Sequence, residues 1–545
     1  MSDWWKRSVV YQIYPKSFCD GNGDGIGDLP GILSKLDYLS SLGVDVLWLS
    51  PICDSPDRDN GYDVREYLTI QSAYGTMEDY ETLIREAHRR HLKVVFDLVA
   101  NHTSDQHPWF QEALQDPDSP RRDYYYFRPS PNNWHAVFGG SAWTYRESAD
   151  AYSLASFSPY QPDLNWSNPA LRQEFYRIMR FWIEKGVDGF RLDAVGFLGK
   201  DPSLPDTPDG APQIMDPCIH DYLQEMYHEV LASHDLLTAG ENSGLTVEDM
   251  RQIAGPDRHE LNMMIQFFHV EEDLGEHGKW NPGNLNFTHL KRLFDEQQQA
   301  MDGAYWTALY WSNHDQPRAV SRIGSEDPRY RERSAKMIAV NTFCMMGTPF
   351  VYQGEELGMT NYPYSSRSEL RDLESLQMLQ SFPENGIMTE DEAMACIRAK
   401  GRDNARTPMQ WDTSANAGFT TGKPWIAVNP NYREINAEDQ LRREDSVFHF
   451  YQELIAFRKS HEILISGHYH GVALDDPQVF AYIRTLNGDS LLVITNWSDS
   501  PAPFNWARYL STPHPEILIG NLPGSRYVTD KVLEPYEAIV LARRS

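Results

Sequence analysis

Short runs of β-branched and apolar residues recur along the chain, and polar stretches with helical spacing lie between them. The runs are VVYQIYP at 9–15, VDVLWLSP at 44–51, KVVFDLVANH at 93–102, VDGFRLDAV at 187–195, LLTAGEN at 236–242, LNMMIQF at 261–267, WTALYWSNHD at 306–315 and PFVYQGEE at 349–356. Several are apolar at successive rather than alternate positions, the pattern of strands buried on both faces. DYETLIREAHRRH at 79–91 and PALRQEFYRIMRFWIEKG at 169–186 repeat apolar residues at helical spacing. Eight such units predict an α/β chain folded as a (β/α)8 TIM barrel rather than an open sheet.

Three segments break the rhythm. Residues 103–168 are rich in Pro, Asn, Trp and Tyr and show no clear crossover helix, so an inserted subdomain is expected after strand three. Residues 361–430, after strand eight, are polar and marked by Pro and Gly, which predicts a long functional loop. From about residue 470, alternating runs such as VFAYIRTL at 479–486 predict a C-terminal antiparallel β domain. The expected division is a barrel at 1–102 and 169–468, a subdomain at 103–168 and a β domain at 469–545. Trp4 and Trp5 read as opening directly into the first strand.

Polar residues gather where these strands end, the rim on which such barrels carry their chemistry. Asp97, Asn101 and His102 end the third strand, Arg191 and Asp193 the fourth, Glu241 the fifth, and His314 and Asp315 the seventh. Two carboxyl groups flanking one bond can hydrolyse a glycoside. Once Asp193 is ionised, Glu241 resists ionising. Arg191, two positions before Asp193 and on the same face, favours the Asp193 carboxylate. A lone strand-end Asp is more often a cap or a buried ion pair, and that is the reading for Asp97. Four charged strand ends on one rim are not explained so simply. A metal centre there is disfavoured, because only His102 and His314 offer nitrogen and neither lies in an HxH or HExxH spacing.

Composition narrows the partners. The 545 residues suggest two or three packed units. A formal charge of −29 repels nucleic acid and anionic membranes, while saying little about a neutral substrate. There is no apolar run long enough to span a bilayer and no signal-peptide layout at the start. Five scattered cysteines fit reduced thiols in the cytoplasm. Oligomeric state leaves no mark in the sequence.

DLVANH at 97–102, GFRLDAV at 189–195, TAGEN at 238–242 and SNHDQPR at 312–318 resemble the four signature regions of glycoside hydrolase family 13, the α-amylase family. QPDLNW at 161–166, NGYDV at 60–64 and GRDNARTPMQWD at 401–412 resemble its oligo-1,6-glucosidase branch. The resemblance implies that Asp193 is the nucleophile, Glu241 the general acid and base, and Asp315 a transition-state stabiliser. It implies that His102, Arg191 and His314 bind one glucose unit, and that Asp63 and Arg402 pair to close the subsite behind it. Ala194, where enzymes preferring α-1,6 links tend to carry Val, implies a preference for α-1,4 links.

Asp20, Asn22, Asp24 and the Ile26 carbonyl also follow the first seven positions of an EF-hand loop, with Gly31 where the closing Glu would stand. The resemblance makes this loop, through Asp28, a structural Ca2+ site. The implied activity is exo-acting, retaining release of α-glucose from small oligosaccharides. Alternatives are an oligo-1,6-glucosidase or dextran glucosidase, a transglucosylating α-glucosidase, and a trehalose-6-phosphate hydrolase. PNNW at 131–134 and FGGSAW at 138–143 occur in the last of these, but a phosphate needs clustered Lys or Arg, and the one candidate cluster, Arg121-Arg122, reads equally as a solvated turn. SRIGSEDPRY at 321–330 matches the Arg-rich stretch of sucrose isomerases poorly. A catalytically silent binding protein on this fold would typically have lost part of the carboxylate trio.

Overall fold

The computed structural model describes residues 3–280, 283 and 285–543. All eight apolar runs form strands: β1 (Val10–Ile13), β2 (Val46–Leu49), β3 (Lys93–Val99), β4 (Gly189–Asp193), β5 (Leu237–Glu241), β6 (Met263–Ile265), β7 (Ala308–Leu309) and β8 (Thr348–Tyr352). They pair in parallel in chain order from β1 to β6, and β8 joins β7 back to β1. A parallel bridge between Met264 and Thr307 closes the ring. Every residue of β1, β2, β4 and β8 is buried, as strands covered on both sides of the sheet require, which is why their runs are apolar at successive positions.

Helices cover the outside. Helix α1 (Met77–Arg89) starts at a capping box between Thr76 and Asp79, and turns Tyr80, Leu83, Ile84 and Ala87 onto the sheet. Helix α2 (Pro169–Glu184) is capped by Asn168, has Pro169 in its first turn, and buries Leu171, Phe175, Met179 and Trp182. Each such side chain contributes about 1.5–3 kcal/mol of burial. The chain leaves α2 through Gly186 in the left-handed region, with φ 97°.

The opening differs from the sequence reading. Trp4–Arg7 form a helical turn, not the start of a strand. The Trp5 ring meets the edge of Trp306 at 6.1 Å, and its carbonyl accepts a bond from Thr348 Oγ1 at 2.9 Å, so this turn plugs the base of the barrel.

The 103–168 segment carries a helix, Pro108–Gln115, that its composition concealed, and a three-stranded sheet of Phe127–Arg128, Ala151–Leu154 and Trp143–Arg146. The 361–430 segment, expected as a loop, contains two helices, α3 (Leu373–Glu384) and α4 (Glu390–Lys400), around a small core of Tyr364, Leu379, Met394 and Ile397. Only one stripe of each helix is apolar, and Pro383 interrupts the pattern of α3.

The C-terminal sheet runs β9 (His468–Val472), β10 (Val479–Leu486), β11 (Asp489–Asn496), β13 (Ala538–Arg543) and β12 (Pro515–Gly520), all antiparallel. A buried guanidinium, Arg484, locks it to the barrel, and a second, Arg458, ties the preceding helix Val447–Ser460 to the same segment. Arg484 donates to the carbonyls of Cys344, Leu464 and Gly467, and Arg458 to those of Phe343 and Met345. Carbonyl dipoles replace the water these charges give up.

Candidate active site

The register of three strands builds the floor of the site. Asp97 on β3 lies opposite Arg191 on β4, and Arg191 lies opposite Ala239 on β5. The two-residue period of a strand then brings Asp193 and Glu241 up on the same inner face. Gly189 lets β4 approach β5, since a Cβ there would stand 2.1 Å from the Leu237 carbonyl oxygen.

Arg191 is 2% exposed and its guanidinium serves three carboxylates. Nη1 donates to Asp97 Oδ1 at 2.8 Å and Asp193 Oδ1 at 2.6 Å, and Nη2 stands 3.0 Å from Glu241 Oε2. Trp48 Nε1 and Tyr62 Oη fix the other Asp97 oxygen at 3.0 and 3.1 Å. Trp48 and Tyr62 also face the guanidinium as ring partners. Asp97 is thus an anchor for Arg191, in keeping with its sequence reading.

Electrostatics separate the carboxyl groups. Burial, together with the charges of Asp193 and Asp315, pushes Glu241 up to about 7 against the pull of Arg191. Glu241 is therefore about half protonated at pH 7 and carries its proton below that pH. Burial would also raise Asp315, but His314, Arg402 and Arg406 hold it well below the usual carboxylate range. With burial pushing His314 down to about 3, the two guanidiniums carry this effect at pH 7. Arg406 Nη2 donates to Asp315 Oδ1 at 2.6 Å, and Arg402 Nη1 lies 3.4 Å from the same oxygen.

The floor opens into a cavity of about 480 Å3 lined by His102, Asp193, Ala194, Glu241, Asp315 and Arg402. Phe138 and Phe157 from the inserted subdomain and Phe197 after β4 add an apolar wall. Arg191 and His314 lie behind this lining. Gln12 Nε2 fixes His314 Nδ1 at 2.8 Å, and Tyr62 stacks on its ring at 5.2 Å. His102 Nε2 lies 3.2 Å from the Tyr62 carbonyl and 3.1 Å from Gln161 Nε2. Ala194 lines the cavity beside Asp193 in a left-handed conformation, φ 46° and ψ 42°, which is costly for any side chain and more so for a β-branched one.

One predicted contact does not form. Asp63 does not pair with Arg402. It is fully buried in its own turn, accepting bonds from Ser55 Oγ and the amides of Arg58 and Asp59. The partner of Arg402 is Asp59, at 3.2 Å, four residues earlier. NGYDV resembles the branch motif correctly, but its Asp spends both oxygens on holding the loop, so the residue just before the motif is the one that faces the cavity. Arg402 also binds Asp372 at 2.7 Å and lies over the Phe138 ring at 4.7 Å.

Asp59, Gln161, Phe138, Arg406 and Asp372 were missed in the sequence. Gln161 lies inside QPDLNW and joins Asp59 Oδ2, at 3.0 Å, to His102. Arg406 lies inside GRDNARTPMQWD, so both motifs held a signal that spacing alone could not assign.

The Asp20–Asp28 loop turns its side chains onto its own backbone. Asp20 accepts from the amides of Asn22, Gly23 and Gly25, Asn22 from Asp24, Asp24 from Ile26, and Asp28 Oδ1 from Gly21 and Gly31. Asp28 Oδ2 is buried without a hydrogen-bond partner. Among the described residues, no three His, Cys, Asp or Glu side chains form a group that could hold a metal ion. No helix among them is long and apolar enough to cross a membrane.

Comparison with known proteins identifies this architecture. The family model for the α-amylase catalytic domain matches residues 12–467. The chain is similar to an oligo-1,6-glucosidase of Halalkalibacterium halodurans, 49% identical over 99% of each chain. It is similar to a trehalose-6-phosphate hydrolase of Bacillus subtilis, 48% identical over 98% of each. Among solved structures, a trehalose-6-phosphate hydrolase of Bacillus licheniformis superposes with a TM-score of 0.95 at 42% identity, covering 99% of this chain and 100% of that one. With strands, signature regions and full-length relatives in agreement, the chain belongs to the α-amylase family, glycoside hydrolase family 13, in its oligo-1,6-glucosidase/α-glucosidase branch, and is a glycoside hydrolase.

Proposed function

We propose that the chain is a retaining, exo-acting α-glucosidase that releases α-glucose from the non-reducing end of short α-glucans, with α-1,4 links favoured. The observation that carries this reading is that Asp193 and Glu241 bind the two terminal nitrogens of one guanidinium on the floor of a walled cavity. Asp193 attacks the anomeric carbon while protonated Glu241 gives its proton to the departing oxygen. Glu241, now ionised, takes a proton from water as that water releases glucose from the Asp193 ester. Asp315, held anionic, grips sugar hydroxyls more strongly as positive charge develops on the ring.

The exo reading rests on the wall. Arg402 ties together Asp59 from after β2, Asp315 from after β7 and Asp372 from the last insertion, with Phe138 over it. A wall of this kind across the cavity supports entry by one end of a glucan rather than passage of a chain through the site. The linkage preference rests on Ala194 beside the nucleophile. The oligo-1,6-glucosidase named above favours the α-1,6 reading.

Against trehalose 6-phosphate stands the pairing of the cations lining the cavity. Lys279 bridges to Glu374, and Arg322 and Lys400 bridge to Asp273. A phosphate would have to displace a carboxylate to be held.

The loop around Asp28 is proposed to hold a structural Ca2+. Its donors are all oxygen, and the orphaned Asp28 Oδ2 supports this. The ion would supply no chemistry to the reaction, only a tie between the loop and Thr420, which bonds Asp20. Five unpaired thiols support a reducing, cytoplasmic setting.

A glucose-release panel over maltose, maltotriose, isomaltose, trehalose and trehalose 6-phosphate should show α-glucose first, with maltose preferred; early β-glucose rules out retention. Because Glu241 is raised to about 7, it is in the proton-donating form below that pH and loses it above. We expect kcat/KM to fall about tenfold per pH unit on the alkaline side of 7. Glu241→Gln should abolish that limb and cost about 10²–10⁴-fold in rate. Ala194→Val should raise the isomaltose-to-maltose ratio of kcat/KM, and an unchanged ratio removes the basis for the α-1,4 assignment. EDTA should lower the unfolding temperature and Ca2+ restore it, with no shift in the Asp28→Ala variant.

A further inference from the structure

The catalytic cavity has a neighbour of about 620 Å3, and Arg322 and Lys400 line both. Asp273 joins them. Arg322 Nη2 donates to Asp273 Oδ1 at 2.5 Å, and Lys400 Nζ bonds Asp273 Oδ2. The three side chains are 4%, 6% and 12% exposed for Arg322, Lys400 and Asp273. They come from three connections: Asp273 follows β6, Arg322 follows β7, and Lys400 ends α4 in the insertion after β8. Arg322 is held further by Gln316 Oε1 at 2.7 Å and by the Val270 carbonyl.

Position gives this bridge its meaning. Asp59, which closes the cavity with Arg402, follows β2. Asp273 follows β6, diametrically opposite β2 in a ring of eight. The Asp273 end of the bridge therefore lies on the β6 side of the site, opposite Asp59 and on the side toward which the rest of a substrate would point, while its Lys400 end lies two residues before Arg402. Beyond it, the second cavity offers the ring of Tyr362, backed by Tyr364 at 4.5 Å, with Ser321, Asn361 and Arg398 around it. An aromatic face among hydrogen-bonding groups suits a sugar.

Resting on the α-glucosidase reading, we propose that the Lys400–Asp273–Arg322 bridge sets the chain length this enzyme accepts, by standing between the catalytic cavity and an outer subsite for the reducing-end units of longer α-glucans. Lys400 is the piece that can be removed. Among the described residues its amine is hydrogen-bonded to Asp273, and its loss leaves Asp273 still paired with Arg322.

The test is kcat/KM for maltose through maltoheptaose, and for the isomalto series in parallel, on wild type, Lys400→Ala, Asp273→Ala/Lys400→Ala and Lys400→Ala/Ala395→Trp. Ala395 lines the second cavity and is exposed there. Opening the bridge should raise the seven-unit to two-unit ratio about tenfold, the scale of one added contact, and Ala395→Trp should cancel the gain. An unchanged ratio in Lys400→Ala and in the Asp273→Ala/Lys400→Ala double variant overturns the proposal. A gain that survives Ala395→Trp overturns the placement of the subsite. Wild type releasing no glucose from maltose or isomaltose refutes the α-glucosidase reading itself, a result distinct from either.

Discussion

A single buried guanidinium holds three carboxylates at the mouth of the barrel. Without Arg191, the carboxyl groups of Asp97, Asp193 and Glu241 would stand close together in a site with little water and no opposite charge to offset their mutual repulsion. With it, the negative charge beside the cavity is compensated, while burial and the neighbouring carboxylates raise Glu241 to about 7. Removing one partner of such a buried cluster costs about 3–5 kcal/mol. Asp97, Trp48 and Tyr62 are best understood as the mount for that guanidinium, since each touches it or fixes the carboxylate that does.

A second cluster does the opposite work. Arg402 and Arg406 keep Asp315 anionic, whereas the surroundings of Glu241 raise it to about 7, so that it still carries a proton in part of the molecules at neutral pH. Environments that drive two carboxyl groups apart in this way are how one site assigns an acid and an anion at the same pH. Both arginines come from the insertion after β8, so a late connection completes the electrostatics of strands far earlier in the chain. The inserted subdomain contributes apolar walls and Gln161, which reaches back to His102 and Asp59. The scaffold supplies the reacting groups, and the insertions supply the shape of the hole.

The Asp63 correction shows how the two levels differ. NGYDV identifies a loop, but the Asp that holds that loop stands four positions after the Asp that faces the cavity. Both are acidic, both lie after β2, and nothing in their spacing distinguishes them. The difference is which carboxylate the backbone amides of 58 and 59 claim, and that is settled only when the turn folds. The helices α3 and α4 were hidden for a related reason, because a short helix that shares a small core with its neighbour and a few loop residues needs just one narrow apolar stripe.

By itself the sequence determined the eight strands, their parallel burial, the C-terminal sheet and the charged strand ends, because strand period and burial on two faces are local properties of short runs. It also determined that Arg191 and Asp193 share a face, since a strand alternates every residue. The tertiary structure alone decided which carboxylates meet which guanidinium, which Asp closes the cavity, and where Arg322 and Lys400 find Asp273. Those pairings join residues from different connections, more than a hundred positions apart in several cases, and their energies depend on distance and lost water, neither of which is written in the order of the residues.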